Sequence, residues 1–166
     1  MSRTRNGPER EGGLSRRALL GSLLSMVAVQ SVQAAQVVLP KAVSLRDALA
    51  RSVDKNQPLL VMVSLDGCPF CKISRDNYLG PLQEQGVSLV QVDMRSSASL
   101  LDFDGAPSTH EHRISAWHIR LAPTVLFLGR AARELAPRLV GGSQSDFYGA
   151  YLDERLALAR MRLSET

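Results

Sequence analysis

Cysteine is scarce in this sequence: Cys68 and Cys71 are the only two in a chain of 166 residues. A disulfide between cysteines so close together closes too small a loop to stabilise a fold much. The scarcity of cysteine therefore argues against a fold held together by disulfides. The sequence also contains no visible internal repeat. Residues 35–166 are numerous enough to bury a hydrophobic core within one domain.

The N-terminal region also lacks an apolar run of the roughly 20 residues that a membrane-spanning helix needs. Its apolar stretch ends at residue 29 and is interrupted by glycine and serine, which argues against an uncleaved anchor. A basic segment, a short apolar segment and small residues at Val32 and Ala34 are typical of a secretory signal peptide. We therefore expect residues 1–34 to be removed after Ala34, and residues 35–166 to form the exported domain.

The leader contains Ser15-Arg16-Arg17-Ala18-Leu19-Leu20, which resembles a twin-arginine export signal. It has leucine where phenylalanine is commonest, and paired arginines also occur in ordinary Sec signals, so both routes stay open. Either route predicts a periplasmic protein. In that oxidising compartment a disulfide between the two cysteines is chemically feasible.

Excess positive charge is confined to the leader, which holds five arginines and two glutamates. The remainder carries 15 basic and 14 acidic side chains. No basic run or basic patch interleaved with aromatic residues is left in it, so nucleic acid is excluded as an expected partner.

Apolar periodicity predicts the order strand, helix, strand, helix, strand, strand, helix in the exported domain. Such an order predicts an α/β fold with a central mixed β-sheet flanked by helices. The predicted helices are one capped by Ser44, one from Pro69 to about Gln85 with a kink or break at Gly80-Pro81, one over 109–117, and a last one after 141–143. The predicted strands are 59–65, 87–93, 124–128 and a return strand 134–140 after a turn at 129–132.

Three further predictions concern segments with weaker patterns. Residues 37–39 are a candidate first strand within an extended lead-in. Residues 95–108 are polar and turn-rich, as expected of a long loop or a small additional element. The last helix is expected to bury Phe147, Tyr151, Leu152, Leu156 and Ala159.

Three motifs together resemble the thioredoxin superfamily over residues 42–160. They are Cys68-Pro69-Phe70-Cys71-Lys72 after an apolar strand, Ile119-Arg120-Leu121-Ala122-Pro123-Thr124 before another, and Gly141-Gly142 ahead of the last helix. The resemblance implies a thioredoxin-like fold. It also implies that the cofactor is the redox-active disulfide Cys68–Cys71 itself, with no bound group.

The position of the two cysteines explains how they would divide the chemistry. A thiol at a helix N-terminus is stabilised as thiolate by free N–H groups and the helix dipole, which makes Cys68 the candidate nucleophile. Cys71, one turn further on, would resolve the mixed disulfide. The resemblance further implies a cis peptide at Ala122-Pro123 that presents its backbone to a substrate, and redox tuning by Pro69 and Phe70.

The sequence departs from thioredoxin at three places. Met62 stands where a buried acid is expected, and a core role is favoured for it. Gly67 stands where a tryptophan is expected just before the first cysteine. Asp66, which precedes it, is either a solvated turn residue or a modest electrostatic influence on Cys68. The stretch between Asp93 and Pro123 is longer, which either shapes substrate choice or adds an inert loop.

A metal site is the alternative use of the same residues. Two thiolates suit Cu(I) or zinc, with a histidine as a further ligand. However, His110 and His112 are two residues apart on a predicted helix, so they do not share a face. Solvated positions are therefore favoured for the histidines, His118 included.

The sequence thus predicts a periplasmic, monomeric thiol–disulfide oxidoreductase, with a reductase favoured over an oxidase. Its partners would be thiols or disulfides of exported proteins. By analogy, a membrane protein of DsbD type would supply electrons. The alternative is a non-enzymatic copper- or zinc-binding protein of the same fold.

Overall fold

The computed structural model describes residues 37–142 and 147–165, all within one compact unit, residues 35–166. The predicted signal peptide and Ser143 lie outside the described residues. The helices are α1 (Leu45–Asp54), α2 (Pro69–Ser74), α3 (Gly80–Glu84), α4 (His110–Ala116) and α5 (Tyr148–Ser164). The strands are β1 (Leu59–Ser64), β2 (Leu89–Asp93), β3 (Ser99–Leu101), β4 (Pro107–Thr109), β5 (Thr124–Leu128) and β6 (Leu139–Val140).

A four-stranded mixed sheet in the order β2-β1-β5-β6 forms the centre of this unit. β1 pairs in parallel with β2 and antiparallel with β5, and β5 pairs antiparallel with β6. Every residue of the two inner strands is buried, as continuous apolar runs predict. The predicted α/β class with a mixed sheet is therefore confirmed.

Each face of the sheet has its own hydrophobic core. Leu60 and Met62 point to the side covered by α2 and α5, whereas Val61 and Val63 point to the side covered by α1 and α4. Alternate residues of a strand face opposite sides, so β1 contributes to both cores. Met62 is fully buried, which confirms its predicted core role.

Helix α1 begins as its sequence predicts. The Ser44 hydroxyl accepts a hydrogen bond from the Asp47 backbone N–H at 3.1 Å, which satisfies one of the open donors of the first turn. The second predicted helix runs from Pro69 to Glu84, but its middle, Arg75–Leu79, is a π-helical segment. This segment ends where a kink or break was predicted, at Gly80-Pro81.

The prediction of a strand at residues 37–39 is wrong. The chain reaches the sheet slightly later, where Gln91 N–H donates to Pro40 O at 2.7 Å and Ala42 N–H donates to Gln91 O at 2.9 Å. Lys41 thereby forms an isolated parallel bridge with Gln91 on the outer edge of β2. Pro40 has no N–H to donate, which prevents a longer ladder here.

The return strand is also shorter than predicted. Of residues 134–140, two regions pair with β5: the strand β6, and Glu134 through an isolated bridge with Leu128. Pro137 lies between these two points and cannot donate to a ladder. The predicted turn before it contains a short 3₁₀ helix, Arg130–Ala132.

The buried face of α5 differs from the prediction at two of the five predicted residues. Phe147 and Tyr151 are 65% and 44% exposed, whereas Tyr148, Leu152 and Leu156 are buried. Tyr148 packs on Tyr78 with ring centroids 4.8 Å apart. The prediction is confirmed for Leu152, Leu156 and Ala159. Tyr148, and not Phe147 or Tyr151, is the aromatic residue on the buried face.

The segment after β2 is a small additional element, as one of the two predictions for it stated. β3 and β4 form a separate two-stranded hairpin. The Arg113 guanidinium pairs with Asp102 at 2.5 Å and lies over the rings of Phe103 and Trp117, so the hairpin is anchored to α4. Within the described ranges, no helix is long and apolar enough to cross a membrane.

Candidate active site

A sharp turn connects β1 to α2 and places Cys68 at the helix start. Gly67 adopts a φ of +69°, a backbone conformation that residues with a side chain rarely adopt. Cys68 is the N-cap of α2, with extended backbone angles, and Pro69 occupies the first turn. Pro69 loses nothing there, because the N–H that it lacks would have had no helical partner.

Cys68 is partly exposed, and its sulfur accepts a hydrogen bond from the Cys71 backbone N–H at 3.4 Å. Partial burial opposes its ionisation. Hydrogen bonds from the Cys71 thiol, the Cys71 N–H and the Phe70 N–H outweigh that effect, together with the positive charge of Arg75. The net result is a pKa of Cys68 below its ordinary value of 9.0.

Cys71 lies in the opposite environment, fully buried within the first turn of α2. Burial raises its pKa to about 11, and its hydrogen bond to Cys68 and the neighbouring charge of Cys68 act in the same direction. The Leu65 N–H donates to the sulfur at 3.5 Å, and this hydrogen bond and the nearby Ser64 hydroxyl partly counter the rise in pKa. The pair thus consists of one accessible sulfur that ionises readily and one buried sulfur that keeps its proton.

The loop before β5 lies against the cysteines. The Ala122–Pro123 peptide bond is cis, and the Cys68 sulfur is 4.0 Å from the carbonyl oxygen of Ala122. Pro123 is buried, and its carbonyl accepts from the Gly141 N–H at 2.8 Å. Leu121, just before this loop, is 63% exposed.

Gly142 lies where this loop and α2 approach each other closely. A Cβ added there would overlap the Ser74 hydroxyl oxygen and lie 2.7 Å from Pro123 Cγ. Only a residue without a side chain fits here, so the glycine pair of the sequence motif allows the loop to pack on the cysteine helix.

The remaining predicted site residues surround Cys68 at the surface. Phe70 is 44% exposed between the two cysteines, and Asp66 is exposed in the turn. Lys72 is exposed and pairs with Asp76 one helical turn further on. The positive charge that helps to lower the pKa of Cys68 belongs to Arg75, a residue that no sequence motif marks.

Arg75 belongs to a polar network beside the cysteines that sequence reasoning missed. Its guanidinium donates to the Ser64 hydroxyl oxygen at 3.1 Å and to Gln91 Oε1 at 3.2 Å. Gln91 in turn donates to Asp93 at 2.5 Å, and Asp93 pairs with Lys41 at 3.0 Å. A cleft of about 910 Å³ next to Cys68 is lined by residues of this network.

The expectation of solvated histidines is wrong for His110, which is only 2% exposed. Its Nδ1 accepts from the Asp93 N–H at 2.9 Å, so its Nε2 carries the hydrogen that it donates to Ala42 O at 2.9 Å. His112 and His118 are exposed, as expected. Within the described part of the chain, no group of three or more His, Cys, Asp or Glu side chains is arranged to hold a metal ion.

No protein-family model and no curated protein matches the chain. Among solved structures, it is similar to the C-terminal domain of Neisseria meningitidis DsbD in its oxidised form, with 17% identity, a TM-score of 0.47, and coverage of 67% of this chain and 92% of that one. It is also similar to the oxidoreductase DsbH, with 15% identity, a TM-score of 0.49, and coverage of 76% and 88%. A third is the periplasmic thioredoxin SoxS from Paracoccus pantotrophus, with 18% identity, a TM-score of 0.39, and coverage of 62% and 99%.

The chain's own topology defines its architecture. A mixed sheet carries the cysteine helix directly after the inner strand β1, and the Ala122–Pro123 loop faces that helix from the start of β5. The protein has a thioredoxin-like α/β fold.

Proposed function

We propose that this chain is an exported thiol–disulfide oxidoreductase that reduces disulfides in other exported proteins. The observation that carries the proposal is the asymmetry of the cysteine pair: Cys68 is accessible with a lowered pKa, and Cys71 is buried with a raised one. A thiolate is the attacking species in disulfide exchange, so this asymmetry assigns the first attack to Cys68.

The reaction follows from the positions of the two sulfurs. The Cys68 thiolate attacks one sulfur of a substrate disulfide, and the other substrate sulfur leaves as a thiolate that takes up a proton. Cys71 then attacks Cys68 Sγ, which breaks the mixed disulfide and releases the second substrate thiol. Counted from the dithiol, whose Cys68 proton passes to solvent on ionisation, the protein gives up two electrons and two protons, and its own product is the Cys68–Cys71 disulfide.

The Ala122–Pro123 loop is the proposed substrate-binding element. Its carbonyl at Ala122 is close to Cys68 Sγ, at 4.0 Å, so an extended substrate strand can bind its backbone while its sulfur reaches Cys68. Phe70 and Leu121 expose apolar surface on the two segments that meet here. Together with Pro69, Phe70 is also the proposed determinant of the redox potential.

The direction of electron flow is proposed from the size of the added segment. The residues between β2 and α4 form a short hairpin and not the large helical insertion of DsbA-like oxidases, which favours a reductase. In the periplasm such a reductase needs an electron source, and a membrane donor of DsbD type would supply it. The leader sequence supports the periplasmic location and export by the twin-arginine or the Sec route.

Two measurements test the proposed function. The equilibrium of the purified protein with glutathione should give a potential near about −270 mV, whereas a value near about −120 mV would identify an oxidase. Cys71→Ser should trap mixed disulfides with exported proteins, and the matched variant Cys68→Ser should trap none. A wild-type protein without any dithiol–disulfide turnover would refute the proposal.

The metal-binding alternative has less support from the geometry. Both nitrogens of His110 are already hydrogen-bonded, so this buried histidine does not complete a site with the cysteines. Metal analysis of protein purified under reducing conditions distinguishes the two functions. Stoichiometric copper or zinc that disappears in Cys68→Ser would favour the metal binder over the oxidoreductase.

A further inference from the structure

Resolution of a mixed disulfide requires a sulfur anion at the buried Cys71, and Met62 provides no charge to assist it. Met62 lies on the face of β1 that packs on the cysteine helix. Ser64, two residues later, points to the same face because side chains alternate along a strand. Its hydroxyl is buried, and the N–H of the next residue, Leu65, donates to the Cys71 sulfur at 3.5 Å, which places Ser64 beside that thiol. The hydroxyl acts to lower the pKa of Cys71.

Arg75 determines the direction in which the Ser64 hydroxyl can donate. A guanidinium has only donors, so the Ser64 oxygen accepts from Arg75 at 3.1 Å. The Ser64 hydroxyl hydrogen is then free to point to the Cys71 sulfur. Gln91 accepts from Arg75 Nε at 3.2 Å and fixes the second edge of the guanidinium.

We propose that Ser64 stabilises the Cys71 sulfur anion during substrate release by donating its hydroxyl hydrogen, and that Arg75 is the positioning residue that orients Ser64 and strengthens it as a donor. This inference rests on the proposed thiol–disulfide exchange. Neither residue takes the proton of Cys71, because the guanidinium has no lone pair to offer and a hydroxyl is a far weaker base than a thiolate. The proton of Cys71 therefore ends on the departing substrate sulfur, and the electron balance of the reaction is unchanged.

Arg75 would also couple the two cysteines. Its positive charge favours the Cys68 thiolate directly, whereas it reaches Cys71 through Ser64. The first attack and the resolution step should therefore respond differently to the two side chains. Loss of Ser64 affects mainly resolution, and loss of Arg75 affects both steps.

Stopped-flow mixing of the reduced protein with the chromogenic disulfide dithionitrobenzoate separates the two steps. Attack by Cys68 releases one coloured thiolate, and resolution by Cys71 releases a second. We expect Ser64→Ala to slow the second phase about three- to ten-fold near neutral pH, because a lost hydrogen bond to an anion reduces the thiolate fraction more than it raises nucleophilicity. The pH profile of that phase should move upward, while the first phase changes less than about two-fold.

Two further variants and one control complete the experiment. Arg75→Met should slow both phases, and Arg75→Lys should largely restore the first phase but not the second, because an ammonium cannot bridge Ser64 and Gln91 as a guanidinium does. Ser52→Ala is the matched control: Ser52 is an equally buried serine whose hydroxyl donates to Gln57 O at 2.6 Å, away from the cysteines. It should change neither phase.

The outcomes also separate this inference from the proposed function. The role of Ser64 would be overturned if wild type releases two thiolates and the second phase is the same in Ser64→Ala and Ser52→Ala. An unchanged second phase in Arg75→Met would overturn the role of Arg75. This variant keeps the inference testable even if Ser64→Ala does not fold. Release of a single thiolate by wild type would instead refute the thiol–disulfide function itself.

Discussion

Alkaline pH should destabilise the reduced protein through Cys71. Its pKa is about 11 in the folded protein against an ordinary value of 9.0, so the unfolded chain loses this proton first as the pH rises. The stability that the protonated thiol contributes is complete below pH 9 and is lost between pH 9 and about 11. A difference of about two pKa units corresponds to about 3 kcal/mol in total, and about 2 kcal/mol of this should be lost by pH ~10.5.

Urea unfolding under reducing conditions measures this loss, with wild type and Cys71→Ala compared from about pH 8 to about pH 10.5. Lysines and tyrosines titrate in both proteins, so the difference in unfolding free energy between them isolates Cys71. That difference should shrink by about 2 kcal/mol over the range. A difference that stays constant to within about 0.5 kcal/mol would refute the assignment of Cys71 as a buried, protonated thiol.

Cys68→Ala is the control with the opposite sign. The folded pKa of Cys68 is lowered, so its stabilising contribution is complete above the ordinary value and declines as the pH falls through the folded value. The difference between wild type and Cys68→Ala should therefore not decline above pH 9. A parallel decline for both variants would show that the two thiols do not occupy the distinct environments described.

Two other predictions concern packing around the site. Gly142→Ala should lower the unfolding free energy by about 1–3 kcal/mol and slow disulfide exchange, because its Cβ would overlap Ser74 and press on Pro123; unchanged urea midpoint and exchange rate would contradict the close approach. His110→Ala should cost about 2–4 kcal/mol in urea unfolding, since it creates a cavity and leaves the Asp93 N–H without its acceptor. A cost below about 0.5 kcal/mol would show that water replaces the imidazole.

The elements that the sequence predicts best are those in which local and tertiary preferences agree. The apolar run at residues 59–65 lies in the middle of the sheet, so burial on both faces and strand propensity favour the same structure. The α1 start is also local, because the cap and the N–H that it satisfies are three residues apart. The phase of α5 is not local: Phe147, Tyr148 and Tyr151 are all aromatic, and only packing against Tyr78 selects Tyr148.

The candidate site shows the same division. Cys68, Cys71 and Pro123 are recognisable because short motifs surround them. Ser64 and Arg75 have no such signature, since a serine at the end of an apolar run and an arginine in a helix are ordinary residues. Their role depends on a contact between a strand and a helix 11 positions apart, which only the folded chain displays.

The short pairing of Pro40–Ala42 with Gln91 has a consequence for solubility. β2 is an outer strand of the main sheet, and an outer strand with open N–H and C=O groups can recruit strands from other molecules. Here the backbone of Gln91 is already hydrogen-bonded on that side, and the covering segment contains a proline and the exposed Lys41. The opposite outer strand, β6, is only two residues long. Both outer edges of the sheet are thus poor templates for intermolecular β-pairing, which suits the proposed exchange with disulfides of other protein chains.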